Sequence, residues 1–416
     1  MNPTEVSPKG GNSIPPPLPE SKPMSLKRGA IAIALAVGFT TALGVTVWTA
    51  MRRDVRAGSE SSAEPGITHL HDTISSVPWS IHVLKIDRAR KDLMYYTPVG
   101  RTVLGVDRVS ELAAAVPSTM GRGIAVVNGD FYERDNPTYA GDPRGLQIVD
   151  GDLVSAPSTV TVWWDANQAP HVAEIKGEFT VSWPDKQKTP YGLNQQRRNN
   201  TAVLYTPTYG PSTRVAGGRN LILEREGSGA WLPLQVGEIY HARVAEVTTN
   251  SNSKIPAGKM VLSLGPQLRA PDADVGAVLE FTTTTTPDLH GIKAAISGGP
   301  ILIDAGKPFS ETGPPPGARG GYSEHSKYER HPRSAIGWNA THLFLITVDG
   351  RQPSLSVGMT LAELADYMVK KLGCTHGMNF DGGASASLWM GQIVNDPCQG
   401  ERPVANGVVV VRTASK

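Results

Sequence analysis

Short runs of apolar and β-branched residues, each followed by turn-forming residues, recur through most of this chain. Of its 416 residues, 44 are glycine and 33 are proline, which is above ordinary usage and typical of a protein with many tight turns. Because no fixed period relates the runs, a solenoid or a propeller is disfavoured. The pattern predicts an α+β fold of strand-rich mixed sheets with a few flanking helices. The clearest strand segments are residues 79–86, 123–129, 201–206, 259–264, 277–286, 342–350 and 407–413.

Two segments have the spacing of helices. Thr360 and Glu363 form a capping-box pair, and apolar residues recur on one helical face from there to Leu372, with Gly373 placed as the C-cap. A shorter helix is predicted through residues 110–116, SELAAAV, with Ser110 as its N-cap.

An uncharged segment near the N-terminus, residues 29–51, is long enough to cross a membrane. As a helix its 23 residues reach about 34 Å, against roughly 30 Å for the hydrocarbon core of a bilayer. Trp48 lies near its end and two arginines follow it, which favours an uncleaved signal anchor over a cleaved signal peptide. We therefore predict a disordered tail at 1–28, a transmembrane anchor at 29–51, a polar linker at 52–64 and one folded domain at 65–413.

The side of the membrane on which the domain lies is not decided by flanking charge, because basic residues occur on both sides of the anchor. A short proline-rich tail is easily left behind in the cytoplasm, and a long domain can be translocated despite charges near the anchor. The sequence therefore predicts an extracytoplasmic domain, periplasmic or extracellular, that is held at the membrane by residues 29–51.

The balance of charge excludes one class of partner. The chain has 40 Lys and Arg against 38 Asp and Glu, a net charge of +2, and it has no long basic tract. A nucleic-acid-binding protein would carry a concentrated basic footprint, so we exclude nucleic acid as a partner. The oligomeric state is left open by the sequence.

The chain contains two cysteines, Cys374 and Cys398. A disulfide between them would close a loop of about 25 residues and stabilise the fold by roughly 3–4 kcal/mol, which an oxidising compartment would allow. The alternative is two unrelated buried thiols. Neither these cysteines nor His69 and His71, expected in a solvated loop before the first strand, have the pattern of a metal site. No cofactor is predicted, and a need for a divalent metal ion is left open.

Three polar clusters follow apolar strands and are candidates for a site. In the first, Asn128, Gly129 and Asp130 end the strand IAVV, where rigid backbone can present a side chain; an Asn-Gly-Asp turn is the alternative. Arg144 follows in a Gly/Pro loop and could bind a phosphate or carboxylate with two hydrogen bonds. In the second, Gly298 and Gly299 could expose N–H groups to an anion, or form a tight loop.

The third cluster is the densest and lies between residues 331 and 407. A carboxylate, Asp381, is followed by two glycines and by hydroxyl groups within seven residues. A carboxylate beside phosphate-binding groups suits cleavage of a sugar phosphate, whereas the spacing of a Walker A loop and of a GxSxG nucleophile is missing. The candidates in this cluster are Arg333, Arg351, Asn379, Asp381, Gly382, Gly383, Ser385, Glu401 and Arg402.

Taken together and in order, these motifs resemble the phosphodiester glycosidase family over residues 65–413. The resembling stretches are VNGDFY, PRGLQIVDG, ISGGPILI, PRSAIG, VDGRQ with the SVGMTLAELA helix, NFDGGASASL and ERPVANGVVV. This chain departs from the family at Asp130, where members often have a second glycine, and at Ala384, Ala386 and Ser387. The resemblance implies hydrolysis of the bond between an anomeric sugar carbon and a phosphodiester oxygen, on a phosphate-linked carbohydrate of the cell surface.

Residue types suggest the roles under this hypothesis. Asp381, Glu401 and Asp130 would supply carboxylates near the anomeric carbon, and Arg333, helped by Arg351 or Arg402, would hold the phosphate. For Arg333 the alternative is a structural role, as an anchor of the strand that follows it. A non-catalytic envelope protein that binds polysaccharide through the same cleft, and a phosphodiesterase that cuts the P–O bond, remain the competing functions.

Overall fold

The computed structural model describes residues 55–100, 104–310 and 326–414, with side chains described from Pro65 onward. These residues belong to one compact unit, Val55–Lys416. The predicted tail and the predicted anchor at 29–51 lie outside the described residues. Within the described part of the chain, no helix has the length and apolar character needed to cross a membrane.

The described residues form twenty-four strands and two α-helices. The helices are α1 (Val109–Ala114) and α2 (Leu361–Lys370). The strands are β1 (Val55–Glu64), β2 (Ile67–Ile74), β3 (Trp79–Asp87), β4 (Leu93–Tyr96), β5 (Gly121–Asn128), β6 (Gln147–Val149), β7 (Asp152–Ser155), β8 (Val160–Trp164), β9 (Pro170–Glu174), β10 (Lys176–Ser182), β11 (Lys188–Leu193), β12 (Ala202–Tyr205), β13 (Arg219–Arg225), β14 (Ile239–Thr248), β15 (Met260–Leu264), β16 (Val278–Thr286), β17 (Ala294–Gly298), β18 (Ile301–Asp304), β19 (Lys307–Pro308), β20 (Arg333–Trp338), β21 (His342–Val348), β22 (His376–Asn379), β23 (Leu388–Trp389) and β24 (Gly407–Thr413).

All seven predicted strands are confirmed, as β3, β5, β12, β15, β16, β21 and β24. The strand-rich class is therefore correct. The sheets are less mixed than predicted, because β11 and β12 form the one parallel pair among the described ladders. Some antiparallel ladders join strands that are consecutive in sequence, such as β1 with β2 and β20 with β21, but most join strands that are further apart in the chain, such as β3 with β21.

The strands are arranged in three open sheets and one closed barrel. The orders are β1-β2-β3-β21-β20-β22-β18-β19, β7-β6-β17-β8-β9 and β23-β5-β24-β4, and the barrel is β10-β11-β12-β15-β13-β14-β16. The barrel is one continuous insertion. The chain leaves the five-stranded sheet after β9 and returns to it at β17, and both of these strands flank β8.

One core lies between the open sheets, and a second lies in the barrel and extends onto the five-stranded sheet through residues such as Ile148 and Ala295. Leu84, Leu345 and Ile336 cover the inner face of the eight-stranded sheet and pack with Val127 and Val410 of the four-stranded sheet. Inside the barrel, the buried side chains include Phe281, Tyr240 and Leu262. Burial of this apolar surface, rather than local propensity, fixes which face of each strand points inward.

The prediction of a polar linker at 52–64 is wrong for residues Val55–Glu64, which form β1. This strand pairs antiparallel with β2 at the edge of the eight-stranded sheet. An edge strand needs only backbone hydrogen bonds on one side and tolerates polar side chains, so its composition resembles that of a linker. The folded region therefore begins about ten residues earlier than predicted.

The capped helix is confirmed as α2, with Thr360 as its N-cap. The Glu363 N–H donates to Thr360 Oγ1 (3.1 Å), and the Thr360 N–H donates to the Glu363 carboxylate (3.0 Å). Gly373 has a φ of +66°, as expected for a helix end. The shorter helix is confirmed as α1, but its N-cap is Arg108 rather than Ser110.

His69 and His71 lie within β2, and not in a loop before the first strand as predicted. His69 Nε2 is 3.2 Å from His82 Nδ1, and the rings of His71 and His82 stack at 4.0 Å. His82 Nε2 lies 3.3 Å from the buried carboxylate of Asp349, which also accepts a hydrogen bond from Ser80. The three imidazoles thus form a partly buried row that ends at a carboxylate.

The predicted disulfide is wrong: Cys374 and Cys398 are free thiols. Cys374 is buried at the end of β20 that carries Trp338, whose carbonyl accepts from Thr375 N–H (2.9 Å). The loop that contains Cys398 is held near the opposite end of β20, where Asp396 N–H donates to Asp349 (2.9 Å). About 16 Å of strand separates these ends, whereas a disulfide needs Cα atoms within about 7 Å.

Candidate active site

The ends of three strands meet where the densest motif leaves the eight-stranded sheet. β5 ends at Asn128, β22 ends at Asn379, and β20 begins at Arg333. The chain continues from β22 into Asp381, whose N–H donates to the Gly129 carbonyl (2.8 Å). The first and third predicted clusters, 250 residues apart in sequence, are therefore side by side.

Asn128 joins these strand ends. Its Oδ1 accepts hydrogen bonds from Ser334 Oγ (2.6 Å) and from the Ser387 N–H (3.1 Å), and its Nδ2 donates to the Asp381 carbonyl (2.7 Å). The side chain is fully buried. With its hydrogen bonds directed at the protein, Asn128 positions the loop that carries Asp381 and does not face a substrate.

Gly129 permits the close approach of this backbone. A Cβ at this position would lie 2.2 Å from Ile296 Cδ1 and 2.6 Å from Asn406 Oδ1. Asn406 also accepts hydrogen bonds from the N–H groups of Gly129 (3.0 Å) and Asp130 (2.8 Å). Asn406 was not among the candidates from the sequence. It directly precedes β24, and its hydrogen bonds fix the turn that contains Asp130.

Asp130 is almost completely buried, with 2% of its surface exposed. Its Oδ2 accepts a hydrogen bond from the Gly145 N–H (2.8 Å), while its buried Oδ1 has no hydrogen-bond partner among the described residues. Burial, reinforced by the nearby charge of Asp381, raises the pKa of Asp130 to about 7, although the Gly145 and Phe131 N–H groups oppose the change. Asp130 therefore exchanges a proton near neutral pH.

Asp381 is the partly exposed member of this carboxylate pair. Burial raises its pKa, and the Ser385 hydroxyl, the charge of Arg402, the Gly382 N–H and the charge of Arg134 oppose that effect. These groups all favour the ionised form. Asp381 therefore has more support for a negative charge than Asp130, whose second oxygen is left without a donor.

The two glycines after Asp381 fit a narrow space against β20. A Cβ on Gly382 would lie 2.6 Å from the Pro332 carbonyl oxygen, to which the Gly383 N–H donates (2.9 Å). Gly383 has a φ of +61°, and the Arg351 guanidinium lies over it, 3.1 Å from where a Cβ would be. The exposed Arg351 is also 3.4 Å from His331 Nδ1.

Gly298 and Gly299 are structural partners of this loop. The Gly299 N–H donates to the Asn379 carbonyl (2.7 Å), and Asn379 Nδ2 donates back to the Gly299 carbonyl (2.9 Å). A Cβ on Gly298 would come within 2.6 Å of the same Asn379 carbonyl. The second predicted cluster therefore supports the third through backbone contacts, and its N–H at Gly299 is not available to an anion.

Three arginines act electrostatically on the carboxylate pair. Arg402 donates to the Tyr132 hydroxyl (2.7 Å) and lies close enough to lower the pKa of Asp381. Arg134 has the same electrostatic effect on Asp381, and the exposed Arg144 has it on Asp130. Arg134 was not among the candidates from the sequence. Its position in the loop after Asp130, two residues beyond Tyr132, was the feature that could have indicated it.

Arg333 lies close to this loop in the chain but its guanidinium is directed elsewhere. It is 6% exposed and donates to the carbonyls of Met359 (2.8 Å) and Glu329 (2.8 Å). These contacts match the structural alternative for Arg333, in which it anchors the segment before β20. A phosphate beside Asp381 would meet Arg402 and Arg134 instead.

Glu401 is the neighbour of Arg402 in sequence but not in orientation. Its carboxylate accepts hydrogen bonds from the Ser110 N–H (3.1 Å) and hydroxyl (2.9 Å), in the first turn of α1. A negative charge at this end of a helix is favourable. Glu401 thus holds α1 against the loop, and Asp130 rather than Glu401 is the second carboxylate beside Asp381.

No group of three or more His, Cys, Asp or Glu side chains in the described ranges is arranged to hold a metal ion. The site is built from carboxylates, guanidinium groups and backbone. Its carboxylates can stabilise a positive charge, and its guanidinium groups can stabilise a negative charge close by. Such a site can support a positive centre at Asp381 and a negative group at the arginines.

Two solved structures have the same fold. A hypothetical protein from Synechocystis is 20% identical with a TM-score of 0.68, and the match covers 85% of this chain and 64% of that protein. A Burkholderia pseudomallei K96243 protein that is described as an exported protein is 22% identical with a TM-score of 0.62, covering 82% of this chain and 74% of that one. This chain thus spans slightly less than two thirds of the Synechocystis protein. Among curated proteins, none matches it.

The model of one protein family, described as phosphodiester glycosidase, matches residues 239–411. The matched segment includes Asp381, the two glycines that follow it, and the strands β20, β22 and β24 that position them. This is the family that the sequence motifs indicated. Over residues 239–411, less than half of its length, this chain is therefore similar to the phosphodiester glycosidase family.

Proposed function

We propose that this protein hydrolyses the bond between the anomeric carbon of a sugar and a phosphodiester oxygen, releasing free sugar and a phosphomonoester. The observation that carries the proposal is the pair Asp130 and Asp381 beside the guanidinium groups of Arg134 and Arg402. A carboxylate stabilises the positive charge that develops at the anomeric carbon, and guanidinium groups stabilise the negative charge on the departing phosphate.

The two carboxylates have different roles in this proposal. In this proposal Asp381 carries the negative charge and faces the anomeric carbon: burial raises its pKa, but four groups of the protein favour its charge. Asp130 holds the proton, because it is buried and one of its oxygens has no donor. Environments that separate the protonation states of two neighbouring acids are a common basis for acid–base roles.

The proposed reaction balances without any further reactant. The C–O bond breaks and the phosphate leaves with the electron pair, held by Arg402 and Arg134. Water adds its oxygen to the anomeric carbon, and the proton that the water loses passes to the charged carboxylate of Asp381 and from there to solvent. Since a phosphate is a weak base, it departs with little help from an acid. Tyr132 orients Arg402 through its hydroxyl group.

We also propose a substrate class and a location. The substrate is a phosphate-linked glycan or glycolipid outside the cytoplasm. The predicted anchor at residues 29–51 supports an attached, extracytoplasmic enzyme, and the Burkholderia pseudomallei protein of the same fold is described as exported.

The test is hydrolysis of a panel of sugar 1-phosphodiesters by the purified protein in ¹⁸O-labelled water. We expect the label in the sugar, and label in the phosphate would instead identify a phosphodiesterase that cuts the P–O bond. Asp381→Asn should lower the rate by about 10³-fold or more. Asp152→Asn is the matched control, because Asp152 is also a carboxylate whose pKa burial raises, but it lies on β7 and bonds to Thr208.

Binding of a phosphate-linked polysaccharide without release of sugar would contradict the proposal. The protein would then be a non-catalytic envelope protein that uses the same cleft. An active wild type whose Asp381→Asn variant retains its activity would also contradict the assignment of Asp381.

A further inference from the structure

A second concave region adjoins the candidate active site. It is a cavity of about 400 Å³ between two walls. One wall is the loop that follows β5 and includes Glu133, Asp142 and Arg144. The other wall comes from the barrel, in the segment between β11 and β12, and includes Gln196 and Arg198. The cavity touches the site through Arg144, because the next residue along the chain bonds to Asp130.

The acidic side chains in this cavity are already engaged by the protein. Glu133 Oε1 accepts hydrogen bonds from the N–H groups of Arg134 (3.0 Å), Asp135 (2.9 Å) and Asn136 (3.3 Å). Asp142 is paired with Arg214 (3.1 Å), and burial raises its pKa to about 7. Asp142 therefore contributes little negative charge to the cavity. Glu133 stays ionised: burial opposes its charge, but these N–H groups and the charge of Arg144 lower its pKa.

The basic side chains are in the opposite situation. Arg144 and Arg198 are both exposed, and neither guanidinium makes a hydrogen bond to the described residues. Two primary amides, Gln195 and Gln196, lie beside Arg198 and are also exposed. Guanidinium groups whose hydrogen-bond donors are not used by the protein suit a phosphate, and amides suit the hydroxyl groups of a sugar or polyol.

We propose that this cavity binds the alcohol half of the phosphodiester, and that this alcohol carries a second phosphate, held between Arg144 and Arg198. The proposal rests on the proposed function, because it assumes that the scissile phosphate lies at Arg402 and Arg134. The volume is within the range of small-molecule sites and admits a phosphorylated polyol or monosaccharide. The substrate is then part of a repeating, phosphate-linked chain. The unit that is cleaved lies at Asp381, and the barrel side of the cavity binds the neighbouring unit.

The kinetic test uses two sugar 1-phosphodiesters with the same sugar, one esterified with glycerol and one with glycerol 3-phosphate. At constant ionic strength, the wild type should have a higher kcat/KM for the second substrate by about tenfold. In Arg198→Gln the ratio of the two kcat/KM values should fall close to one, mainly because KM rises for the substrate with the second phosphate. Arg122→Gln is the control, because Arg122 is also exposed but lies at the other end of β5 from Asn128; its ratio should equal that of the wild type.

A wild-type ratio near one, or an equal loss of the ratio in both variants, would overturn the proposal. A binding measurement separates this failure from failure of the proposed function. Glycerol 3-phosphate should bind to the wild type and to Asp381→Asn, and at least about fivefold more weakly to Arg198→Gln. If glycerol 3-phosphate does not bind to the wild type, the proposal that the cavity binds a second phosphate is wrong. If it binds but neither substrate is hydrolysed, only the proposed reaction is wrong.

Discussion

The side-chain amide of Asn128 donates a hydrogen bond to the main-chain carbonyl of Asp381 at 2.7 Å. The same side chain accepts hydrogen bonds from Ser334 and from the Ser387 N–H. One buried amide thus connects the end of β5, the start of β20 and the loop that carries the candidate catalytic carboxylate. The position of Asp381 depends on this connection as well as on its own N–H bond to the Gly129 carbonyl.

Asn128→Ala should therefore reduce both stability and activity. It leaves a hydroxyl, an N–H and a carbonyl without their partner, and we expect a loss of about 2–3 kcal/mol in the free energy of unfolding. Asn194→Ala is the control, because Asn194 is as buried and bonds to Val154 and Thr206 in the barrel region. Denaturant unfolding should find similar losses for both, while kcat falls only in Asn128→Ala. Equal activities of the two folded variants would contradict the positioning role.

Asp130→Asn should change how both activity and stability depend on pH. The pKa of Asp130 is about 7 in the folded protein and near 3.8 when unfolded, so the folded state binds more protons between these values. The wild type therefore loses stability as pH rises from about 4 to 7, and the variant does not. At neutral pH we expect Asp130→Asn to be more stable by a few kcal/mol but slower, and to lack any change in rate near pH 7. Chemical denaturation and pH–rate profiles test this, and identical profiles would refute it.

Glu401→Gln should affect α1 more than the chemistry. The variant keeps an oxygen near Ser110 but removes the negative charge at the helix N-terminus, which is worth about 0.5–1 kcal/mol. Glu111→Gln is the matched variant, since Glu111 accepts from the Arg108 N–H at the same end of α1. Thermal unfolding should show small decreases in Tm for both, and kcat should change by less than about threefold in each. A large loss of kcat in Glu401→Gln alone would restore the catalytic role that its residue type suggested.

The two thiols should behave independently. Cys374 is buried and its pKa is raised to about 12 by burial, so it should resist iodoacetamide until the protein unfolds. Cys398 is partly exposed and should react in the native protein. Mass spectrometry of labelled peptides distinguishes the two sites. Tm should not respond to a reducing agent, whereas loss of a bond worth about 3–4 kcal/mol would lower it by several degrees.

The row of histidines on β2 and β3 should make the protein sensitive to acid. Burial, with the charges of His82 and His71, lowers the pKa of His69 from 6.5 to about 4. The unfolded chain therefore binds a proton first, and the stabilising contribution of neutral His69 is lost as pH falls from about 6.5 to 4. Because the ring is half-buried and solvent screens it, we expect about 1 kcal/mol over this range. His69→Gln should show a smaller loss of unfolding free energy than the wild type; an equal loss would exclude His69 as the cause.

Much of the fold was predictable because the strands carry their own signal. Apolar runs such as that of β24 are buried on both sides, and the capping box of α2 satisfies its first N–H groups locally. β1 lacked this signal because it lies at an edge and is polar. The close packing of the loop after Asp381 was also predictable, because glycines are needed wherever a loop passes close to other backbone.

The roles of the charged residues were harder to predict, because they depend on partners far away in sequence. Glu401 meets Ser110 across 291 residues, and Arg333 meets a main-chain carbonyl at Met359. Residue type alone fits a substrate and these partners equally well. Arg134 was overlooked for the converse reason, since nothing in its neighbours along the chain shows that Asp381 lies beside it.

The barrel begins after β9 and ends before β17, and these strands lie on either side of β8 in one sheet. The connection from β9 into the barrel and the connection from the barrel to β17 therefore lie close together in the five-stranded sheet. The strands that carry Asp381 lie outside this insertion. Under the proposed function, a change in the barrel wall at Arg198 would alter how the alcohol half is bound without altering the loop that carries Asp381.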